Sequence, residues 1–125
     1  MKQLEMRVLA EVGEPVYLPE SAMGRINNEA DAFAWCWAMR RIKAMTQSEA
    51  ARHLGVSKSH FSNMLAGKKY PCWDMRLAFQ QLCGNWAIRQ YEDRKAGLIT
   101  TRESADQRRI RELEQRLADA ERVAA

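Results

Sequence analysis

The sequence has no long apolar run. Its longest, over residues 32–39, is far shorter than the roughly 20 residues that a membrane-spanning helix needs. It also lacks a basic start followed by an apolar stretch and a small-residue cleavage site, so nothing indicates secretion. We therefore expect a cytoplasmic protein with no membrane partner.

Cysteine is scarce as well. Cys36, Cys72 and Cys83 are odd in number and widely spaced, which favours reduced thiols over a disulfide framework. Together with His53 and His60 they show none of the C-x-x-C or H-x-x-x-H spacings typical of metal sites. We expect neither a metal nor a cofactor.

Motifs that would indicate an enzyme are also missing. No nucleophile motif accompanies the serines, and there is no glycine-rich phosphate loop. Glu92 and Asp93 are adjacent, so their side chains diverge on a helix. We expect no enzymatic activity, and the sequence gives no evidence of a small-molecule ligand. The four tryptophans do not alternate with basic residues on a strand surface, as aromatic residues that stack on nucleic-acid bases do. We therefore assign them to the core or to interfaces: Trp35, Trp37, Trp73 and Trp86.

What the sequence does have is a local excess of positive charge. The 125-residue chain carries a net charge of +4, yet residues 30–70 alone hold seven basic and two acidic side chains. Residues 1–29 carry a net charge of −2, and residues 100–125 are neutral. Such a local concentration suits a polyanion such as nucleic acid. A plain solvated surface explains the charge equally well.

Two short helices with clear start and stop signals lie inside this basic region. Thr46 and Glu49 have the spacing of a capping box at the start of the first helix, and Gly55 ends it. Ser57 can cap the second helix, over residues 58–66, and a glycine follows that one too. Because so few residues separate them, the two helices must cross steeply, as in a helix-turn-helix.

The same signals predict further helices around this pair. Hydrophobic spacing and punctuation place them over residues 28–45, 73–83 and 86–96, with residues 19–28 as a connection.

The first residues of the chain fit two patterns. Residues 4–12 alternate between apolar and polar side chains, as in a strand that pairs with residues 16–18 in a hairpin. Leu4, Val8 and Val12 also fit a helical stripe. We favour the strand slightly.

The end of the chain differs in character, with no aromatic and no glycine over residues 101–125. Its apolar residues recur at the 3-and-4 spacing of a coiled-coil seam, which predicts dimerisation through Ile110, Leu113, Leu117 and Ala120. With Ile110 at position a, arginines (109 and 116) occupy g and glutamates (114 and 121) occupy e, which favours a parallel dimer. Two heptads are few, and the alternative is a solvated helix folded back on its own domain.

The stretch TQSEAARHLGVSKSHFSNMLAGKK, residues 46–69, resembles the helix-turn-helix of the lambdoid Cro and repressor family. The resemblance extends over roughly residues 30–83 and rests on Gln47 opening the first helix, Ala51 at the crossing and Gly55 in the turn. The apolar positions of the pattern are supplied by Ala50, Leu54, Val56, Phe61 and Met64.

This resemblance implies a mainly α fold. Its centre would be a five-helix Cro/repressor-like helix-turn-helix domain that binds DNA, over residues 30–99. An N-terminal extension, residues 1–29, would precede it, and a charged, coiled-coil-like helical tail, residues 100–125, would follow.

The resemblance also implies a function: a sequence-specific regulator of transcription, most simply a repressor, in a bacterium or phage. As a homodimer on a palindromic operator, it would place its second helix in the major groove of double-stranded DNA. Lysine can donate to guanine and asparagine can bond adenine, while serine is less selective. The residues expected to read bases are Lys58, Ser59, Ser62 and Asn63.

Other residues are expected to contact the DNA backbone, which sets affinity rather than choice of site. Gln47 stands where this family bonds a phosphate at a helix N-terminus. The remaining candidates are Ser57, His60, Lys68, Lys69, Arg40, Arg41, Lys43 and Arg52. An alternative function is a protein-interaction module on the same fold, such as an antitoxin-like neutraliser or an assembly adaptor. The acidic N-terminal residues and the heptad tail favour that alternative.

Overall fold

Helices make up most of the chain. The computed structural model describes residues 13–100 and 105–124, and within them it contains helices but no strand. In chain order they are α1 (Glu20–Met23), α2 (Glu29–Ala38), α3 (Gln47–Leu54), α4 (Lys58–Leu65), α5 (Trp73–Cys83), α6 (Ala87–Lys95) and α7 (Ala105–Ala124). The mainly α prediction is confirmed for these residues.

The start and stop signals of α3 and α4 act as the sequence predicts. Thr46 Oγ1 accepts the Glu49 N–H at 3.1 Å, and the Glu49 carboxylate accepts the Thr46 N–H at 3.3 Å. Ser57 Oγ accepts the His60 N–H at 3.0 Å at the start of α4. Gly55 between the helices has φ of 73°, a left-handed conformation that costs glycine little. Local chemistry therefore fixes where both helices begin and where α3 ends.

An aromatic cluster forms the core against which α4 packs. Phe61 of α4 is fully buried, with its ring centroid 5.2 Å from Trp37 and 5.8 Å from Phe79. Phe33 continues the cluster at 5.4 Å from Phe79. Ala51 of α3 is almost fully buried, and its small side chain allows neighbouring helices to approach closely. Helices α2, α4 and α5 thus share one core.

Helix α2 ends at Ala38, whereas the sequence pattern predicted a helix as far as Met45. Arg40 explains the difference, because its guanidinium donates to three backbone carbonyls beyond or at the helix end. Nε donates to Met45 O at 3.1 Å, Nη1 to Trp37 O at 3.0 Å and Nη2 to Lys43 O at 2.9 Å. The guanidinium also lies 4.2 Å above the Trp37 ring, a cation–π contact. These bonds hold the residues after α2 in a loop.

The N-terminal part differs from the prediction in two ways. Helix α1 lies inside residues 19–28, which were expected to be a plain connection. The predicted hairpin is not seen: Val16 N–H donates to Gly84 O and Val16 O accepts the Trp86 N–H, both at 3.0 Å. Residue 16 therefore pairs with the connection between α5 and α6. The first arm of the predicted hairpin, residues 4–12, lies outside the described residues.

A buried glutamine fixes the segment before α1 onto α6. Gln90 Oε1 accepts the Leu18 N–H at 2.9 Å, and Gln90 Nε2 donates to Leu18 O at 3.0 Å. Both backbone groups of Leu18 are thus satisfied away from water, which a buried chain segment without a strand partner requires. The Gln90 side chain thus makes the two hydrogen bonds to Leu18 that a neighbouring strand would make in a sheet.

We expect Gln90→Ala to destabilise the fold by about 2–4 kcal/mol, because it leaves the N–H and C=O of Leu18 buried without their partner. Urea unfolding followed by far-UV circular dichroism measures the change. Gln81→Ala is the matched control on the exposed side of α5, and it should change the free energy of unfolding by no more than about 0.5 kcal/mol. Equal effects of the two substitutions would contradict this account of Gln90.

Candidate nucleic-acid interface

Burial of one side of α4 turns its polar side outward. Phe61 and Met64 are fully buried, so the positions between them face away from the core. The four residues predicted to read bases form this outward strip: Lys58, Ser59 and Ser62 are exposed, and Asn63 is half-buried. Their spacing puts them on neighbouring positions of one helical face. We call these four residues the α4 strip.

A hydrogen bond links the α4 strip to the start of α3. Ser62 Oγ donates to Gln47 Oε1 at 3.2 Å. The bond holds the Gln47 amide beside the first turn of α3, where unpaired backbone N–H groups and the helix dipole favour an anion. Ser62 therefore positions a neighbour, which gives it a role that the sequence did not indicate.

The segment that contains α3 and α4 carries a strong excess of positive charge. Between residues 40 and 69 the chain has seven basic side chains and a single carboxylate, Glu49. That carboxylate accepts the Thr46 N–H and hydroxyl, so it is held at the helix start. The exposed predicted cations are Arg41, Lys43, Arg52, Lys68 and Lys69.

Two of the residues predicted to contact the DNA backbone form hydrogen bonds within the protein instead. The guanidinium of Arg40 donates to three carbonyls and is half-buried, so we assign it to the fold rather than to a phosphate. Lys43 Nζ donates to Ala38 O at 2.6 Å, at the C-terminal end of α2. Lys43 still adds positive charge, but its ammonium also neutralises the helix end. Sequence alone gave no means of recognising that Arg40 and Lys43 bond to carbonyls of their own chain.

Ser57 and His60 lie at the beginning of α4. Ser57 is exposed and its Oγ is the cap acceptor for the His60 N–H. The His60 side chain is half-buried. Ser57 and His60, both predicted to contact the DNA backbone, thus lie beside Lys58 and Ser59 of the α4 strip, and Ser57 also caps the helix.

The turn after α4 brings two lysines close to the strip. Gly67 has φ of 75°, and a Cβ placed on it would lie 2.5 Å from the Ala30 Cβ of α2. Lys68 N–H donates to Asn63 O at 3.0 Å, which continues the helical bonding past the helix end. Because the turn fits tightly against α2, the backbone leading into Lys68 and Lys69 has a fixed position.

Two aromatic residues that follow these lysines are half-exposed. Tyr70 and Trp73 are 50% and 53% exposed; of the two places expected for Trp73, the core or an interface, the core is therefore wrong. The Tyr70 ring meets Phe33 edge-on at 6.0 Å, and burial of its hydroxyl, aided by the Glu92 carboxylate, raises the pKa of Tyr70 to about 12. The phenol stays a hydrogen-bond donor at neutral pH.

The three thiols differ in their surroundings. Cys36 and Cys83 are buried and Cys72 is exposed. Burial, with a contribution from neighbouring Cys83, raises the pKa of the Cys36 thiol well above its usual value. Within residues 13–100 and 105–124, no three histidine, cysteine or acidic side chains come together as metal ligands would.

The predicted dimerisation residues lie on α7. Ile110, Leu113, Leu117 and Ala120 are exposed, as is every described residue of that helix. None of the helices in the described parts of the chain has the length and apolar character needed to cross a membrane.

Comparison with protein-family models, with curated proteins and with solved structures finds no match to this chain. The likeness to the Cro and repressor family therefore rests on the motif in residues 46–69 alone. The function has to be argued from the geometry of the site.

We expect Gly67→Ala to be about 1–3 kcal/mol more destabilising than Gly55→Ala, because only Gly67 faces a neighbour that a methyl group would strike. Both glycines have positive φ, so both substitutions share the cost of a left-handed alanine, about 1–2 kcal/mol. No atom lies within 4 Å of a Cβ at Gly55. Thermal or urea unfolding of the two variants gives the difference directly, and equal losses would mean that the turn after α4 is not clamped on α2.

Proposed function

We propose that this chain is a sequence-specific DNA-binding regulator of transcription that inserts α4 into the major groove. The observation that carries the proposal is the outward α4 strip, a polar face on a short helix whose other side is anchored in an aromatic core. The major groove admits an α-helix, and its base edges are read by side chains of this kind.

The fold around the strip supports the proposal. Under this proposal, α2 to α6 would be the five helices of a Cro/repressor-like domain, with α3 and α4 as the helix-turn-helix pair. Residues 13–28 would precede that domain as an extension, and α7 would follow it as the charged tail. The buried Ala51, the left-handed Gly55 and the buried Phe61 occupy the positions that the motif assigns to small, turn and core residues.

Lys58 and Asn63 are the residues with the chemistry to discriminate bases. An ammonium donates to guanine O6 and N7, and a carboxamide bonds adenine N6 and N7 with two hydrogen bonds. Asn63 is half-buried, so its side chain loses less freedom on binding than a fully exposed one would. Ser59 is exposed beside Lys58 and adds a less selective donor and acceptor.

The backbone contacts would set affinity and position. Gln47 is placed by Ser62 at the start of α3, where a phosphate oxygen could accept from both its amide and the helix N-terminus. Lys68 and Lys69 follow α4, and Arg52 lies exposed on α3. Phosphate contacts of this kind carry no sequence information.

The proposal includes a dimer that binds a palindromic operator. One α4 covers only a few base pairs, and proteins of this kind gain affinity and specificity by reading two half-sites about 34 Å apart. The resulting complex would repress transcription by covering a promoter.

One observation favours the second candidate function, a protein-interaction module. Helix α7 is exposed along its whole described length, and groove docking does not need it. Under that function the α4 strip would be dispensable for partner binding. Substitutions in the strip therefore separate the two functions.

Selection from random duplex DNA should yield a two-fold symmetric preferred site. We expect Lys58→Ala and Asn63→Ala each to relax the preference at one base pair per half-site, by about 1–3 kcal/mol. Lys95→Ala is the control, since it removes one positive charge from α6, where Lys95 pairs with Glu29 at 2.9 Å. Fluorescence anisotropy with matched and mutated duplexes measures the changes. Equal, weak binding to every duplex, or full preference in both variants, would refute the proposal.

The lysines after α4 should behave differently. Lys68→Ala and Lys69→Ala should weaken binding to all duplexes alike and leave the preferred sequence unchanged, because a phosphate contact is not selective. Each should also reduce the slope of log K against log salt by about 1. Titrations at several salt concentrations test this. A change of preferred sequence in either variant would show that the lysine reads bases instead.

A further inference from the structure

Helix α7 presents an apolar seam that the rest of the described chain does not cover. Ile110, Leu113 and Leu117 are 55%, 55% and 61% exposed, and no residue of α7 is buried. The alternative of a tail folded back on its own domain is therefore not seen in the described residues. In proteins most of a helix's stability comes from packing of its apolar face. An uncovered seam on α7 therefore points to a partner that covers it.

The charges beside the seam specify what covers it. In a parallel pair of identical helices, each g residue faces the e residue of the partner five positions further along. Arg109 then meets Glu114 of the second copy, and Arg116 meets its Glu121. In an antiparallel pair the g rows face each other and the e rows face each other, so arginine opposes arginine and glutamate opposes glutamate. Each of these two pairs occurs twice in the dimer, and only in the parallel arrangement do all four pairs join opposite charges.

Gln115, Asp119 and Arg122 make polar contacts with one another on the outer side of α7. Gln115 Nε2 donates to Asp119 Oδ1 at 3.1 Å, and Arg122 also pairs with Asp119. Gln115 and Arg122 occupy the heptad position opposite the seam, and Asp119 lies next to it. The helix thus has one polar outer face and one apolar seam flanked by complementary charges.

We infer that α7 pairs with α7 of a second copy of this chain as a parallel, two-stranded coiled coil. The pairing itself does not depend on DNA binding. The pairing has one consequence for DNA binding, and that consequence rests on the proposed function. In a parallel pair the two α7 N-termini lie about 10 Å apart, so both α4 strips are held at one end of the coil. In an antiparallel pair they would lie about 30 Å apart at opposite ends.

Charge reversal tests the pairing without DNA. The double variant Arg109→Glu, Arg116→Glu puts glutamate at every e and g position named above. Its dimerisation should be weaker than that of the wild type by roughly 50-fold, because four attractive contacts per dimer become repulsive. Arg108→Glu, Arg122→Glu is the matched control, with the same change of net charge at positions opposite the seam. Sedimentation equilibrium of the full chain at several concentrations gives the dissociation constants.

A single cysteine tests the orientation. In a Cys72→Ser background, which removes the exposed native thiol, Ile110→Cys should form an intermolecular disulfide on mild oxidation if the helices are parallel. In an antiparallel pair the a residue at 110 would face a d residue such as 120 instead, which places it about 15 Å from its counterpart. Circular dichroism of each variant confirms that the domain is folded.

Three results would overturn the inference: a wild-type chain that stays monomeric, a seam-charge variant that dimerises as well as its control, or a dimer in which the cysteines at 110 fail to cross-link. None of them depends on DNA. A chain that dimerises as inferred but shows no preference among duplexes would leave the coiled coil intact and refute only the DNA-binding proposal.

Discussion

Burial of Phe61 between Trp37 and Phe79 is the interaction on which the rest of the structure depends. A short helix has little intrinsic stability, and α4 is held mainly by the two side chains that it inserts into the core, Phe61 and Met64. Those anchors also set the rotation of α4 about its own axis. The α4 strip therefore faces outward, which makes α4 a candidate for contact with base edges.

The surroundings of α4 divide the basic residues into two kinds. Arg40 shows that a cation in this region can be part of the architecture, since it shapes the loop between α2 and α3. Lys68 and Lys69 are instead exposed side chains on a backbone held by the close contact of Gly67 with Ala30. The positive field comes from both kinds, while specific contacts with a polyanion can come only from the second. Counting charges in the sequence could not make this distinction.

The parts of the fold that local chemistry determines were predictable from the sequence, and the parts that distant contacts determine were not. The capping box of Thr46 and Glu49 and the left-handed Gly55 depend on neighbours within a few residues, so the limits of α3 and α4 followed directly. The outward α4 strip followed too, because helical spacing gives the buried side. The bonds between Leu18 and Gln90 join residues 72 positions apart, and no local pattern contains them. The early end of α2 likewise depends on the Arg40 side chain, which donates to the carbonyls of Trp37, Lys43 and Met45.

The central claim is that the α4 strip is the surface that contacts DNA, and amide chemical-shift mapping by NMR tests it most directly. The full chain is titrated with the duplex selected from random sequences and, separately, with a scrambled duplex of equal length. The account predicts that the selected duplex causes its largest shifts at residues 57–63 and at Gln47, with little change along α7. Shifts confined to α7 or to α6, or identical shifts with both duplexes, would contradict it.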